Sequence, residues 1–119
     1  MSIAEMVEAL TDALNGVEVP GLRVYPDVGP GVSPPGVVLG VPTFQWETPG
    51  SEPTSARWPV FLIVPRTDRA LRQLWELLLP VTAALDGVVD VVVVTASPSA
   101  YPTSGGELPA YEIQIEVSL

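Results

Sequence analysis

Hydrophobic positions along this 119-residue chain follow two rhythms, one helical and one of strands. The first run is helical: Ile3, Met6, Val7, Leu10 and Leu14 recur at helical spacing, with Glu5, Glu8 and Asp12 on the other side. Ser2 and Glu5 form an S-x-x-E capping box at its start, and Gly16 follows as a stop. The acidic side reads either as a solvated face or as an acidic contact surface. A second helical run places Leu71, Leu74, Leu78, Val81 and Leu85 in one buried stripe. Thr67 or Asp68 is the expected N-cap, Gly87 the end, and Pro80 inside the pattern predicts a kink or a bent final turn.

The other segments have the texture of strands. Residues 22–25 (LRVY) alternate, and 36–41 (GVVLGV) form an apolar run closed by Pro42, which 43–47 extend beyond it. Residues 60–64 (VFLIV) are bounded by Pro59 and Pro65, and 88–95 (VVDVVVVT) form a further strand. Tyr111, Ile113, Ile115 and Val117 alternate with Glu112, Gln114, Glu116 and Ser118, a strand with one wet face. Residues 47–56 and 97–109, rich in Pro, Gly and Ser, read as long polar loops. The predicted order is α-β-β-β-α-β-β. This is a single α+β domain spanning 1–119, with a mainly antiparallel sheet and two helices packed on one of its faces.

The continuous apolar runs 36–41, 60–64 and 91–94 add a demand. They have the texture of strands buried on both sides, yet two helices cover one face. The second cover is either the chain's own loops or a neighbouring copy, and the polarity of the loops favours the copy.

Residues 25–41, YPDVGPGVSPPGVVLGV, raise a separate question. Gly29, Gly31 and Gly36 suggest a phosphate loop, but the chain has no lysine and no helix follows, so the P-loop chemistry is missing. Pro34 and Pro35 bias the backbone towards an extended path instead, giving a stiff arm that leads into a buried strand.

Charge narrows the functional classes. Fourteen Asp and Glu oppose five basic residues, all arginine, for a net charge of −9. Such a chain repels phosphate backbones, which argues against nucleic-acid binding as its main role. With no His, Cys or Lys, the Ser-His-Asp, Cys-His and Ser-Lys arrangements cannot form, and neither can a sulfur- or imidazole-ligated zinc site. The expectation is a non-enzyme with no cofactor. The N-terminus has no signal-peptide pattern and no run is long enough to cross a bilayer, so a cytoplasmic product without membrane contact is expected.

One charge cluster stands out. Arg66, Arg69 and Arg72 lie at spacings of three over the start of the second helix, where cations oppose the helix dipole. Arg72 paired with Glu76 and the others in water is one reading. The other is an interface, since arginine forks pair well with carboxylates. A subunit with this patch and an acidic first helix can join head to tail with its own copies, and such contacts close into rings.

The layout also resembles the tail terminator (tail completion) proteins of long-tailed bacteriophages. The resemblance lies in MSIAEMVEALTDALNG, then LRVYP, then SPPGVVLGVP, then RWPVFLIVPRTDRALRQLWELLLPVTAAL, and finally AYEIQIEVSL, and it covers most of the chain. It implies a ring-forming virion subunit, a homohexamer at the head-proximal end of a siphovirus tail, present in the host cytoplasm before assembly. The ring caps the tail tube protein, stops its polymerisation and meets the head–tail connector protein, with DNA passing through the lumen without specific binding. On this reading Arg66, Arg69, Arg72, Glu5, Glu8 and Asp12 belong to the subunit interface. Glu47, Glu52, Tyr101 and Glu107, in the two long loops, belong to the contact with tube or connector. Another connector or minor tail protein, and a monomeric peptide- or ligand-binding module, remain alternatives.

Overall fold

The capping box at the start of the chain is realised on one side: the backbone N–H of Glu5 donates to Ser2 Oγ at 3.2 Å, opening α1 (Ile3–Asn15). Met6, Leu10 and Leu14 are its buried positions, and Gly16 is its C-cap. The structure, a computed structural model, describes residues 2–27 and 31–119. Gly29, part of the expected stiff arm, lies outside them. Within the described part of that arm, the Pro34–Pro35 peptide is cis.

Among the described residues the order is α-β-β-β-β-α-β-β. The strands are β1 (Arg23–Tyr25), β2 (Gly36–Leu39), β3 (Thr43–Gln45) and β4 (Ser55–Ile63), followed after the second helix by β5 (Val91–Thr103) and β6 (Gly106–Ser118). The sheet runs β1-β2-β4-β6-β5, with β3 beside β2 on the same flank of β4. Only the β1–β2 pair is parallel, so the chain is an α+β fold with a mostly antiparallel sheet. Residues 43–45 are thus a strand of their own and do not extend β2.

Pro59 lies inside β4 rather than at its entrance. β4 pairs with β3 up to Arg57 and with β2 from Val60, so the proline sits where the strand changes neighbours. A missing N–H is tolerated at such a break in the ladder. Ser55 and Ala56, assigned above to a loop, already belong to β4, where Ser55 pairs with Ser118.

The largest correction concerns 97–109. Its prolines and glycines suggest a loop, yet it forms the distal half of a long β5–β6 hairpin, paired from Ser97–Glu112 to Thr103–Gly106. Gly106 takes φ +118°, a conformation that suits glycine in so tight a turn. The strand expected from residue 88 begins at Val91, after Asp90 at φ 67°. A bulge between Val93 and Thr95 then shifts its register.

The second helix, α2 (Ala70–Asp86), starts later than expected, with Arg69 at the N-cap and no side chain capping it. Thr67, one of the expected caps, accepts from the Arg69 N–H through its hydroxyl instead. The helix continues through Pro80 to Asp86; the proline is exposed, so the carbonyl it leaves unbonded can turn to water. Its buried positions are Ala70, Leu74, Leu77, Val81 and Leu85; Leu71, expected inside, is 51% exposed, and Leu78 is half-buried.

Both helices cover one face of the sheet. Met6, Leu10, Leu14, Leu74, Val81 and Leu85 meet Val37, Leu39, Trp58, Val60, Leu62, Ile113, Ile115 and Val117 in the main core. On the other face, Val38, Ile63 and Ala110 form a second, small core with Tyr25, Val32, Phe61, Tyr101 and Leu108 packed on it. The hairpin end bends over this face, and the rings of Phe61 and Tyr101 meet edge to face at 5.5 Å. The apolar runs of β2 and β4 are therefore covered from within the chain and need no neighbouring copy. In β5 the run is not doubly buried: Val92 and Val94 are exposed.

Candidate functional interface

The arrangement leaves α2 with two apolar sides. Its buried side rests on the sheet, with Leu71, Trp75 and Leu79 beside it at spacings of four, all more than half exposed. Trp75 Nε1 donates to Tyr111 Oη at 3.0 Å, which satisfies the indole within the chain and leaves its ring as an apolar surface. Leu78, Leu79 and Thr82 line a shallow depression with Val93, and Leu71 and Leu74 line another with Pro98 and Tyr111. The stripe therefore lies along the side of α2 that faces β5.

Nine large hydrophobic side chains among the described residues are exposed, and three of them, Leu71, Trp75 and Leu79, form this stripe; Val92, paired with Glu116, stands on the other face of the sheet. Single exposed hydrophobics need no explanation, but a gathering on one side marks a contact surface. β5 is also an open sheet edge, and none of its residues is charged. Long, uncharged edges invite strand pairing, which Pro98 and Pro102 discourage because they have no N–H to offer. The bulge at Val93–Thr95 further breaks the edge. What remains attractive is the side-chain surface.

The three arginines do not act as one patch. Arg72 lies on the exposed side of α2, its Nε 3.8 Å from Glu76 Oε1 in a loose pair that is largely in solvent. Arg69 is exposed at the N-cap. Arg66 precedes the helix and lines a cleft of about 850 Å³ between residues 31–34 and the end of the hairpin. It approaches the turn closely: a Cβ placed on Gly106 would lie 3.4 Å from Arg66 Nη2.

Glu5, Glu8 and Asp12 are all exposed on α1. Glu8 and Asp12 rim a groove of about 270 Å³ with Val7, Thr11 and Pro26. α1 packs against β1, and α2 against β5, β6 and β4, so the acidic helix and the apolar stripe stand towards opposite edges of the sheet.

Glu47 and Glu52 are exposed in the segment between β3 and β4, which Trp46 braces through its indole N–H to the Ser51 carbonyl at 2.8 Å. Tyr101 and Glu107 separate: Glu107 is exposed near the hairpin end, whereas Tyr101 is half-buried against Phe61. The residues missed from sequence are Leu71, Trp75 and Leu79. Their i, i+4, i+8 spacing was visible, but it overlaps the buried stripe, and a single helical period cannot say which side meets the sheet. No helix among the described residues is long and apolar enough to cross a membrane. Compared with known proteins, the chain matches no protein-family model and no curated protein.

Proposed function

We propose that the chain is a structural subunit that joins copies of itself into a closed ring, and that the ring is the tail terminator of a long-tailed phage. The observation that carries the self-association is the apolar flank of α2 beside an uncharged, proline-blunted sheet edge. The placement of that flank opposite the acidic α1 favours head-to-tail contact, the kind that closes into rings. The terminator role rests on the resemblance in element order and sequence texture described above.

On this reading the ring, a hexamer, caps the tail tube, and the exposed carboxylates Glu47, Glu52 and Glu107 lie on surfaces that meet the tube or the connector. Six copies would carry about −54, which keeps DNA from adhering during passage and sets a repulsion that the joints must exceed. Arg66, in its cleft, is less suited to a joint than Arg69 and Arg72. The cleft is the feature that favours the alternative, a monomeric module that takes a peptide or small ligand.

Light scattering from micromolar to near-millimolar protein, at two salt concentrations, tests the reading. A sixfold species that weakens in salt is expected, and adding purified tail tube should arrest tube growth. A mass that stays at one chain, with or without tube, overturns the ring. Ligand-induced stabilisation of such a monomer would support the binding module.

A further inference from the structure

The apolar flank of α2 needs an occupant, and the charge map points to one. The chain totals −9, so two copies repel unless they meet where the negative charge is thin. Residues 66–76, at the start of the α2 flank, hold three arginines against Asp68 and Glu76, a local +1; the neighbouring β5 is uncharged, and Asp86 and Asp90 sit at the flank's other end. Residues 2–19 on the far side hold four carboxylates and no cation. The arginine-bearing start of α2 and the acidic α1 are thus complementary, and α1 is poorly suited to meet its own kind across a two-fold axis.

We infer that the α2 flank of one copy docks on the α1–β1 flank of the next, with Arg72 entering the groove between α1 and the end of β1. The groove has an apolar floor in Val7 and Pro26, and Glu8 and Asp12 on its rim. An arginine fits such a site along its whole length, its methylenes on the floor and its guanidinium between the carboxylates. Arg72 is 81% exposed and only loosely held by Glu76, so little is lost when it changes partners. Trp75, next on the stripe, supplies the dry anchor of the joint, its N–H already satisfied by Tyr111. This junction rests on the ring reading and names which two surfaces make the ring.

Paired charge reversal tests it. One chain carries R69E and R72E, the other E8R and D12R. Acidic residues at the start of α2 and a cation in the last turn of α1 suit the helix dipoles, so both chains should fold, which thermal melts check. Each alone should assemble at least about tenfold more weakly than the wild type, because like charges then face each other at every joint. Mixed in equal amounts, they should regain wild-type assembly as rings in which the two chains alternate. Wild-type-like assembly of either chain alone overturns the junction, as does a mixture of folded chains that fails to assemble. A wild type that stops at a dimer also overturns it, by showing flank-to-flank pairing, while leaving self-association intact. A wild type that remains monomeric both alone and with tail tube overturns the ring reading and the junction with it.

Discussion

The indole N–H of Trp58 donates to the carbonyl of Gly40 at 2.7 Å, a bond between two buried residues that closes the gap where β4 exchanges β3 for β2. The backbone completes the closure, with the Gly40 N–H donating to the Pro59 carbonyl at 2.8 Å. W58F keeps an aromatic ring but leaves the Gly40 carbonyl without this donor. A loss of about 1–3 kcal/mol is expected, seen as a lower denaturant midpoint with unchanged slope. No change in midpoint would mean that another group serves the carbonyl.

Gly40 is also required for space. A Cβ there would lie 2.7 Å from Pro59 Cγ and 2.8 Å from the Pro59 carbonyl oxygen, and the second of these is backbone. G40A should cost about 1–3 kcal/mol, as overpacked cores do. G105A, at a site with open space, is the control for generic glycine replacement.

Tyr101 holds the bent end of the hairpin on the second core through Phe61. Y101A should release that end without unfolding the rest. Amide exchange across 98–110 should then quicken by about tenfold or more, while amides of 113–117, under the helices, keep their protection. Uniform quickening would show that the hairpin end and the main core open together.

Separating stability from assembly needs the α2 stripe. W75S with L79S changes two side chains that are 55% and 75% exposed, so the melting temperature should move little. Assembly measured by sedimentation should weaken by about thirtyfold or more, as loss of a central tryptophan anchor does. If assembly is unaffected, the stripe is not the joint.

Arg57 and Glu116 face each other across β4 and β6 with Nη2 and Oε2 3.1 Å apart, both nearly half exposed. R57A should cost less than about 1 kcal/mol, and the cost should fall further in salt. A larger loss would show this pair organising the polar end of the second face.

How far the sequence spoke for itself differs by element. α1 was legible because its capping box and its apolar spacing agree with each other. β6 was legible from its strict alternation up to Ser118. The hairpin at 97–109 was not, because SPSAYPTSGGELP has turn chemistry throughout. Its strands exist through pairing with one another and through the cover that Tyr101 and Leu108 find on Val38 and Ile63, which lie far away in the chain. Helix α2 was half legible: its end at Gly87 was clear, but its start came later than Thr67 or Asp68 suggests, and Leu71 and Leu77 exchanged places, since both lie on an apolar arc wider than the contact with the sheet.

The two prolines in β5 also bear on how assembly ends. Strands that template one another extend without limit and seldom let go, whereas side chains that merely pack can separate and try again. By denying a newcomer the N–H groups of Pro98 and Pro102, the edge leaves a wrongly seated neighbour free to depart. In the proposed ring, correctness would then be decided by repeated trial, and growth would stop when geometry brings the first copy back to the last.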